Sequence, residues 1–445
     1  MADLSLRELE QNHVIYGWQN QSVLSPSIFE RAEHIYLWDS DGKRYADFAS
    51  GQINVNVGYG HSKVLNAMRQ QMERMTYIAP MFATEARIRL ASMVAECAPG
   101  NLQYVFFTNS GAEAVENALK IARAVTGRHK IYSAWQSYHG ATAAASAISG
   151  DARRLYVEPA LPGLGKFHYP NCYRCPLGLE SPSVCGIACL ESLRNQILMD
   201  GPETISAIVV EPIVGTSGLY IPPGEFILGL REICNQHGIL LIFDETMSGW
   251  GRTGRWFACE HFDVVPDILT TAKGITSAYV PLGAVVVNES IRNHFKTKNF
   301  VGGLTTEGHA LACSAGIANI DVYREEKLID NSALLGEYLL LRLNKMKQLH
   351  PSVGDVRGKG LFACIEFSLD RKQKTPLAGY RNSRTNIASE VTRRLWDLGV
   401  VVIAKRDFLF IAPPLVITKE ELDHGMDAID AVLQHTDQML FDGCV

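Results

Sequence analysis

From about residue 100 to residue 290 the chain alternates short, continuously apolar runs with longer stretches of helical period. The runs Tyr104–Phe107, Lys130–Ser133, Ile205–Val210, Gly238–Phe243, Ile268–Thr271 and Gly283–Val287 read as strands. They are apolar throughout rather than alternating, as strands covered on both faces must be. Ala112–Arg123, with Glu113, Glu116 and Lys120 on its polar side, and Gly224–His237 read as helices. Strand followed by helix, repeated, predicts an α/β fold with a mostly parallel sheet between helix layers.

After about residue 315 the pattern changes. Helical stretches at Leu311–Glu325, Asn331–Leu349 and Asn386–Leu398 are joined by short strands near Gly360–Phe367 and Val400–Ile403, which predicts a smaller C-terminal α/β domain. At the other end, Ile35–Trp38 and Arg44–Asp47 flank Asp39-Ser40-Asp41-Gly42, a hairpin signal. The expected division is therefore 1–55, a segment packing with the small domain; 56–315, a large domain; and 316–445, the small domain.

Composition narrows the class. Lys and Arg number 42 against 47 Asp and Glu, so no basic field argues for nucleic acid. No apolar run reaches the ~18–20 residues of a membrane span, and Met1–Glu8 lacks the basic and apolar regions of a secretory signal. A cytoplasmic enzyme is the expectation. Of ten cysteines, Cys172, Cys175, Cys185 and Cys189 stand in a C-x2-C-x9-C-x3-C spacing within a Pro- and Gly-rich stretch. They read either as a small zinc knuckle or as thiols that are merely close together. With no histidine among them, no metal is assigned.

The chemistry gathers at strand ends, where ligands bind in such sheets. Ser110-Gly111-Ala112 opens a helix, which makes either an anion cradle or an ordinary cap. Tyr138-His139-Gly140 follows a strand and supplies either an aromatic wall or a surface turn. Asp244 ends the most apolar strand, where a carboxylate needs a partner: a protonated ring nitrogen or a structural cation. Lys273 follows Ile268–Thr271 with only Ala272 between, and burial there lowers a lysine pKa and leaves a nucleophilic amine. Singly these signals are weak. In that order, an anion cradle, an aromatic turn, a carboxylate and an amine match the needs of pyridoxal 5'-phosphate.

Phe107-Thr108-Asn109-Ser110-Gly111-Ala112-Glu113-Ala114, Ser137-Tyr138-His139-Gly140, Glu211-Pro212, Asp244-Glu245 leading into Gly249-Trp250-Gly251-Arg252-Thr253-Gly254, and Ala272-Lys273-Gly274 resemble the signature series of the class III (omega) aminotransferases, of pyridoxal-phosphate fold type I. The resemblance runs from the Trp38/Gly42/Asp47 hairpin to Pro413-Pro414-Leu415. It implies Lys273 as the Schiff-base lysine, Asp244 at the pyridine nitrogen, Tyr138 and Thr246 on the two ring faces, and Ser110, Gly111 and Ala112 at the phosphate. It places His139 and Glu211 beside the cofactor. It also implies a homodimer or higher oligomer in which Thr305 reaches the neighbouring subunit's phosphate. The substrates it implies are an amine and a 2-oxo acid.

Departures from the family pattern bear on substrate. Where relatives acting on 4-aminobutyrate or ornithine carry a glutamate and the arginine it gates, this chain has Thr216 and Phe410. Met247 stands where a polar residue is usual. An acid group must then be recognised elsewhere, and Arg153, with Arg154 as the alternative, is the candidate. Together with Trp18 these residues are similar to the taurine:2-oxoglutarate and taurine:pyruvate subgroup. β-Alanine, 4-aminobutyrate or diamine transamination, and a lyase or aminomutase on the same scaffold, stay open as alternatives.

Overall fold

The computed structural model describes residues 5–23, 26–300, 302–377 and 387–441. Its centre is a seven-stranded sheet in the order Tyr104–Thr108, Gly283–Val287, Ile268–Thr271, Leu240–Asp244, Ile205–Val210, Lys130–Ala134, Leu164–Phe167. Gly283–Val287 runs antiparallel to both of its neighbours, and the other adjoining strands pair in parallel. Ile205–Val210 is buried at every position, as a strand between two helix layers must be. The expected fold class, an α/β sheet between helices with a smaller C-terminal sheet, is the observed one.

Every predicted central strand is present within one or two residues of its expected ends. The edge strand Leu164–Phe167 was not expected, because Gly165 and Lys166 interrupt its apolar pattern. Lys166 is tolerated there because its ammonium donates to the carbonyls of Ile148 and Ser149 and to the Ser133 hydroxyl. The helices Ser62–Arg74, Glu85–Cys97, Pro182–Asp200 and Lys419–Phe441 are likewise additions to the sequence reading.

The hairpin forms as Tyr36–Asp39 against Arg44–Asp47, with Phe29–Glu33 added outside it. Its turn is held by Asp39, whose Oδ1 accepts from the Asp41 and Lys43 N–H groups. Val400–Val401 pairs in parallel with Arg44–Asp47, tying the N-terminal segment to the C-terminal one. The stretch expected as one strand, Val400–Ile403, is in fact divided. Its second piece, Ile403–Lys405, joins another sheet, ordered Val353–Gly358, Ala363–Phe367, Phe408–Ile411, Ile403–Lys405. The predicted helix from Asn386 is seen as Ile387–Asp397, its first residue lying outside the described part.

Arg252 fastens these parts together. It is fully buried and donates to the carbonyls of Leu361 and Pro413, the Ser50 hydroxyl and the Asn56 side-chain oxygen. Among the described residues no helix is long and apolar enough to cross a membrane. The nine described cysteines are free thiols, Cys185 and Cys189 buried on one helix with Cys172 and Cys175 partly buried before it. Among the described residues no group of three or more metal-ligating side chains is arranged to hold an ion.

Candidate active site

The parallel strands deliver their carboxyl ends to one cleft of about 450 Å³, lined by Trp18, Ser110, Gly111, Ala112, Tyr138, His139, Glu211, Asp244, Thr246 and Lys273 among others. All the expected in-chain cofactor residues are therefore together. Thr305 is not among them: it lies exposed on a loop outside the cleft, its carbonyl accepting from the Tyr77 hydroxyl at 2.8 Å.

At one end of the cleft Ser110 caps the sixteen-residue helix Gly111–Thr126, its hydroxyl accepting from the Glu113 N–H at 3.2 Å. The Glu113 carboxylate accepts from the Asn109 N–H at 2.7 Å, so the turn is locked from both sides. The first-turn N–H groups of Gly111 and Ala112 have no helical carbonyl to meet and face the cleft as anion donors. Gly140 (φ +139°) lies so close over this turn that a Cβ there would stand 2.6 Å from that of Ala112.

At the other end Asp244 is buried and held in place from both oxygens, with acceptor capacity to spare. Its Oδ2 lies 2.9 Å from His139 Nδ1, and its Oδ1 accepts from the Thr246 N–H at 3.1 Å and the Thr270 hydroxyl at 3.2 Å. His139 is itself buried, so its imidazole fixes the carboxylate's orientation. Glu211 accepts from the N–H groups of Tyr138 and Gly215 at 3.0 and 2.9 Å and thereby sets the aromatic turn. Burial pushes its pKa up, with the Asp244 charge adding to the effect.

Lys273 has a left-handed backbone (φ +48°), a conformation that costs a non-glycine residue on the order of 1 kcal/mol and that persists where the surroundings impose it. They do so here. Gly274 is pressed between Asn56 and Trp250, either of which would lie 2.6 Å from a Cβ, and its carbonyl accepts from Asn319 and Tyr323. Burial lowers the Lys273 pKa to about 8, against the pull of Glu211 and Asp244 and with help from Arg153 and Arg252.

This donor set suits pyridoxal phosphate. A carboxylate aims at one end of the slot, helix N–H groups at the other, and a depressed-pKa amine lies between. The Thr246 hydroxyl, buried and without a partner, faces the same space.

A second hollow of about 940 Å³ opens beside the first and shares Trp18, Tyr138, Met247 and Lys273 with it. Arg153 lies here, its guanidinium 3.4 Å from the Tyr138 ring centre and 5.9 Å from that of Trp18. Thr216 and Phe410 line the same hollow, Thr216 accepting from Arg153 Nη2 at 3.2 Å. Arg154 turns elsewhere, onto Trp135 and the carbonyls of Gly150 and Asp151. Three charged lining residues have no role assigned from sequence: Asp151, Lys405 and Arg406. Asp151 precedes Arg153 by two positions, a usable signal for a pair. Lys405 and Arg406 arrive from the C-terminal sheet, and nothing local announces them.

Residues 18–433 match the Aminotransferase class-III family. The crystal structure of taurine:2-oxoglutarate aminotransferase from Bifidobacterium kashiwanohense, in complex with PLP and glutamate, superposes with a TM-score of 0.95 at 37% identity, covering 99% of this chain and 100% of that one. Taurine–pyruvate aminotransferase of Bilophila wadsworthia is 33% identical over 97% of both chains. Leucine/methionine racemase of Thermococcus litoralis is 34% identical over 97% of this chain and 96% of its own. The chain is a member of the class-III aminotransferases, the pyridoxal-phosphate-dependent family whose fold its central sheet and strand-end site reproduce.

Proposed function

We propose that this enzyme moves an amino group from an ω-amine bearing an acid group, taurine first, to a 2-oxo acid, 2-oxoglutarate or pyruvate, in two successive half-reactions. The observation that carries the reading is the Arg153 guanidinium over Tyr138, in a hollow continuous with Lys273. A planar fork of N–H donors suits a carboxylate and also meets a sulfonate.

Pyridoxal phosphate, when bound, supplies the electron sink that makes a proton on the amine-bearing carbon removable. Lys273 Nζ would anchor the cofactor and would be the base that takes and returns that proton. Asp244, oriented by His139, keeps the pyridine nitrogen protonated. Tyr138 and Thr246 cover the two ring faces. Ser110, Gly111 and Ala112 hold the phosphate, with Thr305 of a second copy completing that end in a homodimer or higher oligomer acting in the cytoplasm. Glu211 holds the Tyr138 turn. Trp18 walls the substrate end.

The test is a donor panel of taurine, β-alanine, 4-aminobutyrate and putrescine, each with 2-oxoglutarate and with pyruvate. Taurine turnover at the highest kcat/KM is expected. Preference for putrescine would refute an acid-bearing amine as the donor. Racemisation of leucine without any 2-oxo acid would place the chain with the racemase it resembles.

A further inference from the structure

The Arg153 fork is already occupied. Its Nε lies 3.1 and 2.9 Å from the two Asp151 carboxylate oxygens and its Nη2 lies 2.5 Å from Oδ2. The edge that would grip a planar acid group is thus held by the protein's own carboxylate. An acid ligand meets only the remaining Nη1 unless Asp151 leaves.

Leaving is costly for a carboxylate as enclosed as this one, whose side chain is 9% exposed, unless a second cation receives it. One is in place. Lys405 Nζ lies 3.5 Å from the same Oδ2, so one oxygen is shared by two cations. The Asp151 backbone is pinned, since its N–H and that of Gly150 both donate to the Ser137 carbonyl. Asp151 Oδ1 also caps the next turn, accepting from the Arg153 N–H at 3.0 Å, so the movement open to the carboxylate is a turn that carries Oδ2 from the guanidinium towards Lys405. Burial lowers the Lys405 pKa and the Arg153 charge lowers it further, while Asp151 opposes both, so a closer approach of that carboxylate would steady the ammonium.

We propose that Asp151 is a movable internal anion: it occupies the Arg153 fork when the bound group is uncharged and passes to Lys405 when a substrate acid group takes the fork. Lys405 then sets affinity for acid groups without touching them. This rests on Arg153 being the acid-binding residue.

The experiment measures inhibition of the holoenzyme by ethanesulfonate, an acid that lacks an amine and cannot react. Lys405→Met should raise its inhibition constant at least tenfold and leave kcat/KM for an amine without an acid group, such as benzylamine, unchanged. Asp151→Asn should lower the constant several-fold, because nothing competes for the fork. Adding Lys405→Met to Asp151→Asn should then change it little. An equal rise in both backgrounds would mean that Lys405 binds the acid directly, and no rise in either would remove it from recognition; both results overturn the proposal. If Arg153→Ala leaves the constant unaltered, the acid-pocket reading itself fails, whatever Lys405 does. The cofactor's visible band reports that each variant is loaded. Should Asp151→Asn not load, Asp151→Ser, which can still cap the Arg153 N–H, is read in the same way.

Discussion

Burial of Lys273 has a measurable consequence in the cofactor-free protein. Only the neutral amine attacks an aldehyde, and an ordinary lysine titrates at 10.5 whereas this one titrates at about 8. At pH 7 roughly one molecule in ten then carries the neutral amine, against roughly one in three thousand without the shift, a gain of about 300-fold. Apoenzyme mixed with pyridoxal phosphate and followed at the visible band should capture it at a rate that climbs about tenfold per pH unit below pH 8. The rate should level off above that. The same shift acts on stability. The native pKa lies below the unfolded one, so between pH 8 and 10.5 the unfolded chain binds more protons and stability rises with pH. Below pH 8 the penalty is fully present, on the order of 3 kcal/mol for a shift of this size. Lys273→Met should therefore stabilise the apoprotein at pH 7 towards urea, by less than that figure where water reaches the amine, and lose the advantage by pH 10.5. A capture rate still climbing at pH 10, or a variant less stable than wild type at pH 7, would refute the argument.

Asp244→Asn should keep the cofactor but lose at least ~10²-fold in kcat with taurine, because the carboxylate that holds the ring nitrogen protonated is gone; near-normal turnover would make Asp244 structural. Arg153→Ala should raise KM for both acidic substrates by the equivalent of about 2–5 kcal/mol, with the cofactor spectrum unchanged, whereas Arg154→Ala, on a side chain turned to Trp135, should leave both values alone. Borohydride should fix the cofactor to Lys273, which peptide mapping would check. Arg252→Met should cost about 3–5 kcal/mol in denaturant unfolding, since it strips donors from two buried carbonyls and two side-chain oxygens; a loss under 1 kcal/mol would mean that these acceptors find other donors.

What the sequence determined by itself follows from local rules. A strand covered on both faces must be apolar throughout, and the residue ending it must lie at the carboxyl end of the sheet, where ligands bind. Ile205–Val210, Leu240–Asp244 and Ile268–Thr271 obey this, so Asp244 and Lys273 were legible as strand-end groups before their surroundings were known. Leu164–Phe167 was hidden because its lysine is satisfied by carbonyls from another loop. The Val400–Ile403 stretch was misread as one strand because its period does not record which sheet each half joins. Only tertiary structure set His139 against Asp244 across 105 residues, and Lys405 against Asp151 across 254. Pairing of charges depends on where two chain segments meet in space, and no periodicity along the chain carries that distance. The cofactor site, built from strand ends, was therefore open to a reader of the sequence. The hollow beside it, where Asp151 and Arg153 at a short helical turn meet Lys405 of the C-terminal sheet, took shape only in the fold.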